Sequence, residues 1–107
     1  MDVILKGRGV RITEQVRKAA EHKLSKIGRL EPGVRRLEVE IIEERNPRID
    51  GSHRVEVTCD SLRTVLRAHG AGRDVNTALD QVVQRLERQI SSRRGRLRNR
   101  RHAGPMG

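Results

Sequence analysis

The spacing of apolar side chains changes period twice along this chain, and that double switch restricts the folds open to it. Val16, Ala19, Ala20, Leu24 and Ile27 recur at three- and four-residue intervals, which marks one face of a helix. From Arg36 the interval becomes two. Leu37, Val39 and Ile41 alternate with Glu38 and Glu40, and Val55, Val57 and Cys59 alternate with Arg54, Glu56 and Thr58. Such alternation belongs to half-buried strands. The helical interval then returns in Val75, Ala78, Leu79, Val82, Val83, Leu86 and Ile90.

Punctuation between these stretches sets the boundaries. Residues 2–6 read as a short strand rich in branched side chains, ended by Gly7 and Gly9. Thr13 is placed to cap the first helix, and Gly28 followed by Pro32-Gly33 to stop it. Asn46-Pro47 and Asp50-Gly51 are turn pairs between two strands of a hairpin. A fourth strand is expected at about 62–69, broken by Gly70 and Gly72, with Asp74 capping the second helix. Past Ser91-Ser92 the periodicity fades.

The expected order is β-α-β-β-β-α. A right-handed crossover makes the first two strands parallel, and the remaining strands form an antiparallel meander. Each strand has one apolar face, so both helices should cover the same face. The reading is an α+β fold, a two-layer sandwich with a four-stranded mixed sheet. Residues 1–94 form the folded domain and 95–107 a basic, disordered tail or linker.

Charge narrows the partner. The chain has 107 residues with 24 Lys+Arg against 14 Asp+Glu, a net +10. Such an excess favours a polyanion, because each phosphate contact releases condensed counterions. Residues 91–107 hold six arginines and no acid, which leaves 18 bases and 14 acids in residues 1–90. On a helical wheel, Lys18, His22 and Lys26 share one flank of the first helix, with Glu14, Arg17 and Glu21 on the other. In the second helix Arg85, Arg88 and Ser92 share a flank opposite Asp80 and Glu87. The outer sheet face mixes Glu38, Glu40 and Glu56 with Arg36 and Arg54, which repels phosphate more than it attracts it.

The chain has no Phe, Trp or Tyr. An RNA-recognition sheet or an oligonucleotide-binding barrel needs stacking aromatics, so neither mode is open. A KH domain needs Gly-x-x-Gly between helices, and that spacing occurs only at Gly104–Gly107. RNA is therefore expected to meet helical, electrostatic surfaces that read backbone and shape.

Catalytic chemistry finds no support. Gly7-Arg8-Gly9 follows a strand, but the third glycine of a dinucleotide fingerprint would fall at Ile12. Gly70-Ala71-Gly72 precedes a helix whose cap, Asp74, would meet a phosphate as a like charge. The lone Cys59 falls in register with core valines and suits a reducing cytoplasm. His22, His53, His69 and His102 show no metal spacing. No enzyme, cofactor or metal is expected, and no apolar run approaches the ~18 residues that span a bilayer.

Three stretches carry a resemblance: "MDVILKGRGVRITEQVRKAAEHKLSKIGRL", "RVEVTC" and "LRAHGAGRDVNTALDQVVQRLERQISSRRGRL". Gly7-Arg8 before Thr13-Glu14, Lys23-Leu24-x-Lys26, and Asp74 through Leu86-Glu87-Arg88-Gln89 are its most specific pieces. Over residues 1–98 the chain resembles the ribosome hibernation-promoting factor family, also called ribosome-associated inhibitors or ribosomal subunit interface proteins. The resemblance implies the same element order. It also implies binding to the small ribosomal subunit, in the channel between head and body, where mRNA and the A- and P-site tRNAs are excluded from idle ribosomes. It assigns rRNA contact to basic residues of both helices, here Lys18, Lys23, Lys26, Arg85, Arg88, Arg93 and Arg94. With His22 from the wheel and Arg96 from the arginine run, these make the expected rRNA-binding set. Lys23 lies beside the apolar stripe and fits that role less well.

Two departures from the family stand out. Members usually carry an aromatic in the second helix near Asn76, and none is present here. Long members continue through a linker into a domain that pairs ribosomes, so the chain suits a short member or the first part of a long one. Two other functions stay open: the resemblance also implies modulation of a sigma factor or other protein partner, which the acid-bearing sheet could serve, and the basic tail suits general coating of RNA and DNA.

Overall fold

The computed structural model describes residues 1–43, 53–62 and 64–103, with side chains described as far as Arg93. The order is β1 (Asp2–Arg8), α1 (Glu14–Leu30), β2 (Val34–Glu43), β3 (His53–Ser61), β4 (Val65–Gly72) and α2 (Val75–Ala103). The strands form one sheet in the order β1-β2-β3-β4. β1 runs parallel to β2, and the other neighbours are antiparallel. The α+β architecture expected from the periodicity is the one observed.

Register aligns one apolar row across the sheet. Leu5 lies beside Val39, Val39 opposite Val57, and Val57 opposite Ala68. Ala20, Leu24 and Ile27 of α1 and Leu79, Val82, Leu86 and Ile90 of α2 complete the same core. Both helices therefore cover one face. Each fully buried Leu, Ile or Val contributes about 1.5–3 kcal/mol relative to exposure, and without aromatics the core depends on many such small terms. Cys59 belongs to that core.

Side chains close the first turn of each helix. The Val16 amide donates to Thr13 Oγ1 at 3.1 Å, and the Thr77 amide to Asp74 Oδ1 at 2.7 Å. The helices run side by side in the same direction: Gln15, Val16 and Ala19 neighbour Asp74–Asn76, while His22–Arg29 neighbour Asp80–Glu87.

Several boundaries differ from the sequence reading, and glycine accounts for most of the difference. α1 continues through Gly28 to Leu30, because Leu30 packs on the core and outweighs the ~1 kcal/mol helix penalty of glycine. β4 does not end at Gly70 but includes both Gly70 and Gly72. A Cβ at Gly70 would stand 2.6 Å from the Ala78 carbonyl oxygen, so these glycines let α2 lie against the strand. Among the described residues only Gly9, at φ +72°, takes a turn conformation that favours glycine. α2 passes Ser91-Ser92 and continues to Ala103, so residues 95–103 are helical where a disordered tail was expected. Arginine and leucine are good helix formers, which needs no apolar periodicity. The turn pairs Asn46-Pro47 and Asp50-Gly51 lie outside the described residues.

Candidate nucleic-acid interface

Burying Ala20, Leu24 and Ile27 fixes how α1 rotates, and that rotation decides where its bases stand. Lys18, His22, Lys26 and Arg29 are all exposed. His22, Lys26 and Arg29, with Lys23, form one wall of a groove of about 440 Å³ between the helices. The facing wall comes from α2: Asp80, Val83, Gln84 and Glu87. Lys23 is half-buried, and its ammonium donates to the Asp80 carboxylate across the groove. No ion pair engages Lys18, His22, Lys26 or Arg29 among the described residues, so the charges of Lys18, Lys26 and Arg29 face solvent.

The bases of α2 face elsewhere. Arg85 donates from Nη1 to the His69 carbonyl at the margin of β4. Arg88 is exposed on the outward crest, between the groove-facing and strand-facing rows. Arg93 is half-buried, on the side of the helix that carries Leu86 two turns earlier. Arg94 and Arg96 belong to the last turns of α2, and their side chains lie outside the described residues. The two basic sets thus border different surfaces, and only the α1 set reaches the groove, through His22, Lys26 and Arg29.

Arg29 was absent from the residues expected to bind RNA. It follows Lys26 by three positions and His22 by seven, which places it on the same helical flank. Ending α1 at Gly28 hid that signal. Arg29 also stands in the last turn of α1, where the helix dipole favours a cation.

The opposite face of the sheet is largely neutralised. Arg8 pairs with Glu40 at 2.9 Å, Arg36 with Glu38 at 3.4 Å, and Arg54 with Glu56 at 3.8 Å. Between Val34 and Arg36 the register slips, so Arg35 and Arg36 both reach Asp60, at 3.5 and 3.8 Å.

Titration adds little that resembles catalysis. Burial, with smaller contributions from Glu31 and Asp60, pushes the Cys59 thiol up to about 11, so it stays protonated at neutral pH. The Thr77 amide holds the Asp74 carboxyl below its ordinary value, as suits a helix cap. Among the described residues no group of three His, Cys, Asp or Glu side chains could hold a metal, and no described helix is long and apolar enough to cross a membrane.

The family model described as Sigma 54 modulation protein / S30EA ribosomal protein matches residues 3–98. The chain belongs to this family. A ribosome hibernation promotion factor of Mycobacterium tuberculosis is 32% identical over 104 residues, covering 96% of this chain and 47% of the relative. Another, from Picosynechococcus, is 26% identical over 91 residues, covering 84% and 47%. The chain thus spans about half the length of these relatives. The ribosomal subunit interface protein of Coxiella burnetii shares the fold, with a TM-score of 0.77 over 89% of this chain and 99% of that one at 19% identity. The N-terminal domain of Thermus thermophilus Protein Y is 27% identical, with a TM-score of 0.63 over 83% and 91% of the two chains.

Proposed function

We propose that this chain is a cytoplasmic ribosome hibernation factor that binds small-subunit rRNA and acts by occupying space. The observation that carries the reading is the exposed row Lys18, His22, Lys26 and Arg29, free of ion pairs among the described residues, in a member of this family. A phosphate backbone along that row would displace condensed counterions, giving affinity that falls steeply with salt. Arg88 and the arginines from Arg93 onward would supply a second contact, with Arg85 beside it. Seated in the decoding channel, the sandwich would exclude mRNA and tRNA and so inhibit translation in idle ribosomes during starvation or stress. No bond is made or broken, and no cofactor is needed. Residues 1–94 would be the ribosome-binding domain, with 95–107 leading away from it or into a further domain.

The decisive experiment is co-sedimentation with vacant small subunits against excess duplex DNA, repeated after loading mRNA and initiator tRNA. We expect saturable binding that resists the DNA and is lost on loading. Lys26→Ala with Arg29→Ala should weaken binding by about tenfold or more and flatten its salt dependence by one to two contacts. Binding that DNA competes away would instead mark a general nucleic-acid-coating protein. A second reading, control of a sigma factor, has the family description behind it. The mutual neutralisation of the outer sheet face leaves little charge there for such a partner to read.

A further inference from the structure

β4 is an edge strand, and such edges invite pairing with any free strand. In an antiparallel ladder alternate residues turn their amide and carbonyl toward the neighbouring strand, and those between turn them outward. Arg67, His69 and Ala71 are alternate residues whose outward groups meet α2 instead of another strand. The Gln89 side-chain amide donates to the Arg67 carbonyl at 2.8 Å. Arg85 donates to the His69 carbonyl. The Ala71 amide donates to Gln81 Oε1 at 2.8 Å.

The spacing explains how one helix serves three successive edge positions. Gln81, Arg85 and Gln89 are four residues apart, one α-helical turn or about 6 Å of rise. Alternate residues of a strand are separated by nearly 7 Å. The two repeats keep step over three contacts. Gly70 and Gly72 bring the helix close enough for the side chains to reach over the margin.

We propose that Gln81, Arg85 and Gln89 form a guard that stands in for a fifth strand and closes β4 to pairing with a second copy of this chain. A second copy is the relevant competitor because its own β4 offers the same groups, at the same concentration, whenever the row lets go. Arg85 is then first a structural residue, and rRNA contact would have to come from donors left over after His69.

The test compares Gln81→Ala, Gln89→Ala and the triple Gln81→Ala, Arg85→Ala, Gln89→Ala with Arg88→Ala, which removes the same charge from the outward crest. Hydrogen exchange at the Ala71 amide reads the guard directly, and sedimentation velocity across a concentration series reads its consequence. We expect exchange about tenfold faster in every variant lacking Gln81, and concentration-dependent dimers or larger species for the triple variant but for neither single one. Arg88→Ala should stay protected and monomeric. A triple variant that remains monomeric at high concentration overturns the proposal, whether or not Ala71 exchanges faster. If the triple variant fails to fold, Gln81→Ala with Gln89→Ala carries the same reading. Neither assay involves ribosomes, so the outcome is independent of the proposed function.

Discussion

Lys23 and Asp80 divide the groove between them. The ammonium that the resemblance assigns to RNA is held by a carboxylate of the opposite helix, so phosphate approaching Lys23 must compete with Asp80. Asp80→Asn releases the lysine and removes one negative charge from the groove. We expect small-subunit affinity to rise by a few-fold, measured against salt, with little change in stability because the pair is partly exposed. Cys59 makes a different demand. Its folded-state value of about 11 lies above the 9.0 of the free thiol, so between these limits the folded state keeps a proton that the unfolded state has lost. Stability is therefore full below pH 9.0 and declines toward about 11, by on the order of 2–3 kcal/mol. Denaturant unfolding followed across that window should show the decline in the native chain and lose it in Cys59→Ala. Below pH 9.0 the native thiol should resist alkylation until the protein unfolds.

Among elements, the contact between α2 and β4 has the least tolerance. A Cβ added at Gly70 would meet the Ala78 carbonyl at 2.6 Å and Val82 Cγ2 at 3.0 Å, neither of which can move without the helix. Gly70→Ala should cost about 1–3 kcal/mol, seen as a lowered midpoint in thermal or denaturant unfolding. The same contact marks where reading the sequence stopped short. Period-two and period-3.6 patterns revealed both helices, β2, β3 and nearly all of the core, because burial acts on each side chain in turn; the outer strands β1 and β4 came from branched side chains and turn residues. In sequence alone Gly28, Gly70 and Gly72 read as punctuation. Whether a glycine ends a strand or admits a helix depends on what lies above it, and that neighbour is remote in sequence. The site shows the same division. Its α1 row, Arg29 apart, follows from helical spacing, whereas the turning of Arg85 toward β4 and the capture of Lys23 by Asp80 depend on packing between elements.

For the whole molecule, the two faces of the sandwich treat charge in opposite ways. On the sheet side Arg8, Arg36 and Arg54 each lean on a glutamate, while on the helix side Lys18, His22, Lys26 and Arg29 stand without one among the described residues. Such a molecule carries an electric moment along the sheet normal as well as a net charge. In the field of a large polyanion it feels a torque before it feels a contact, within roughly a Debye length of 8–10 Å at ordinary salt. Rotation of so small a body is fast compared with its drift over that distance, so such a moment would turn encounters with a polyanion helix side first. Neutralising Glu38, Glu40 and Glu56 would raise the net charge, yet weaken this alignment by leaving bare arginines on the back. The arrangement of charge sets how many collisions count, separately from how tightly the protein is finally held.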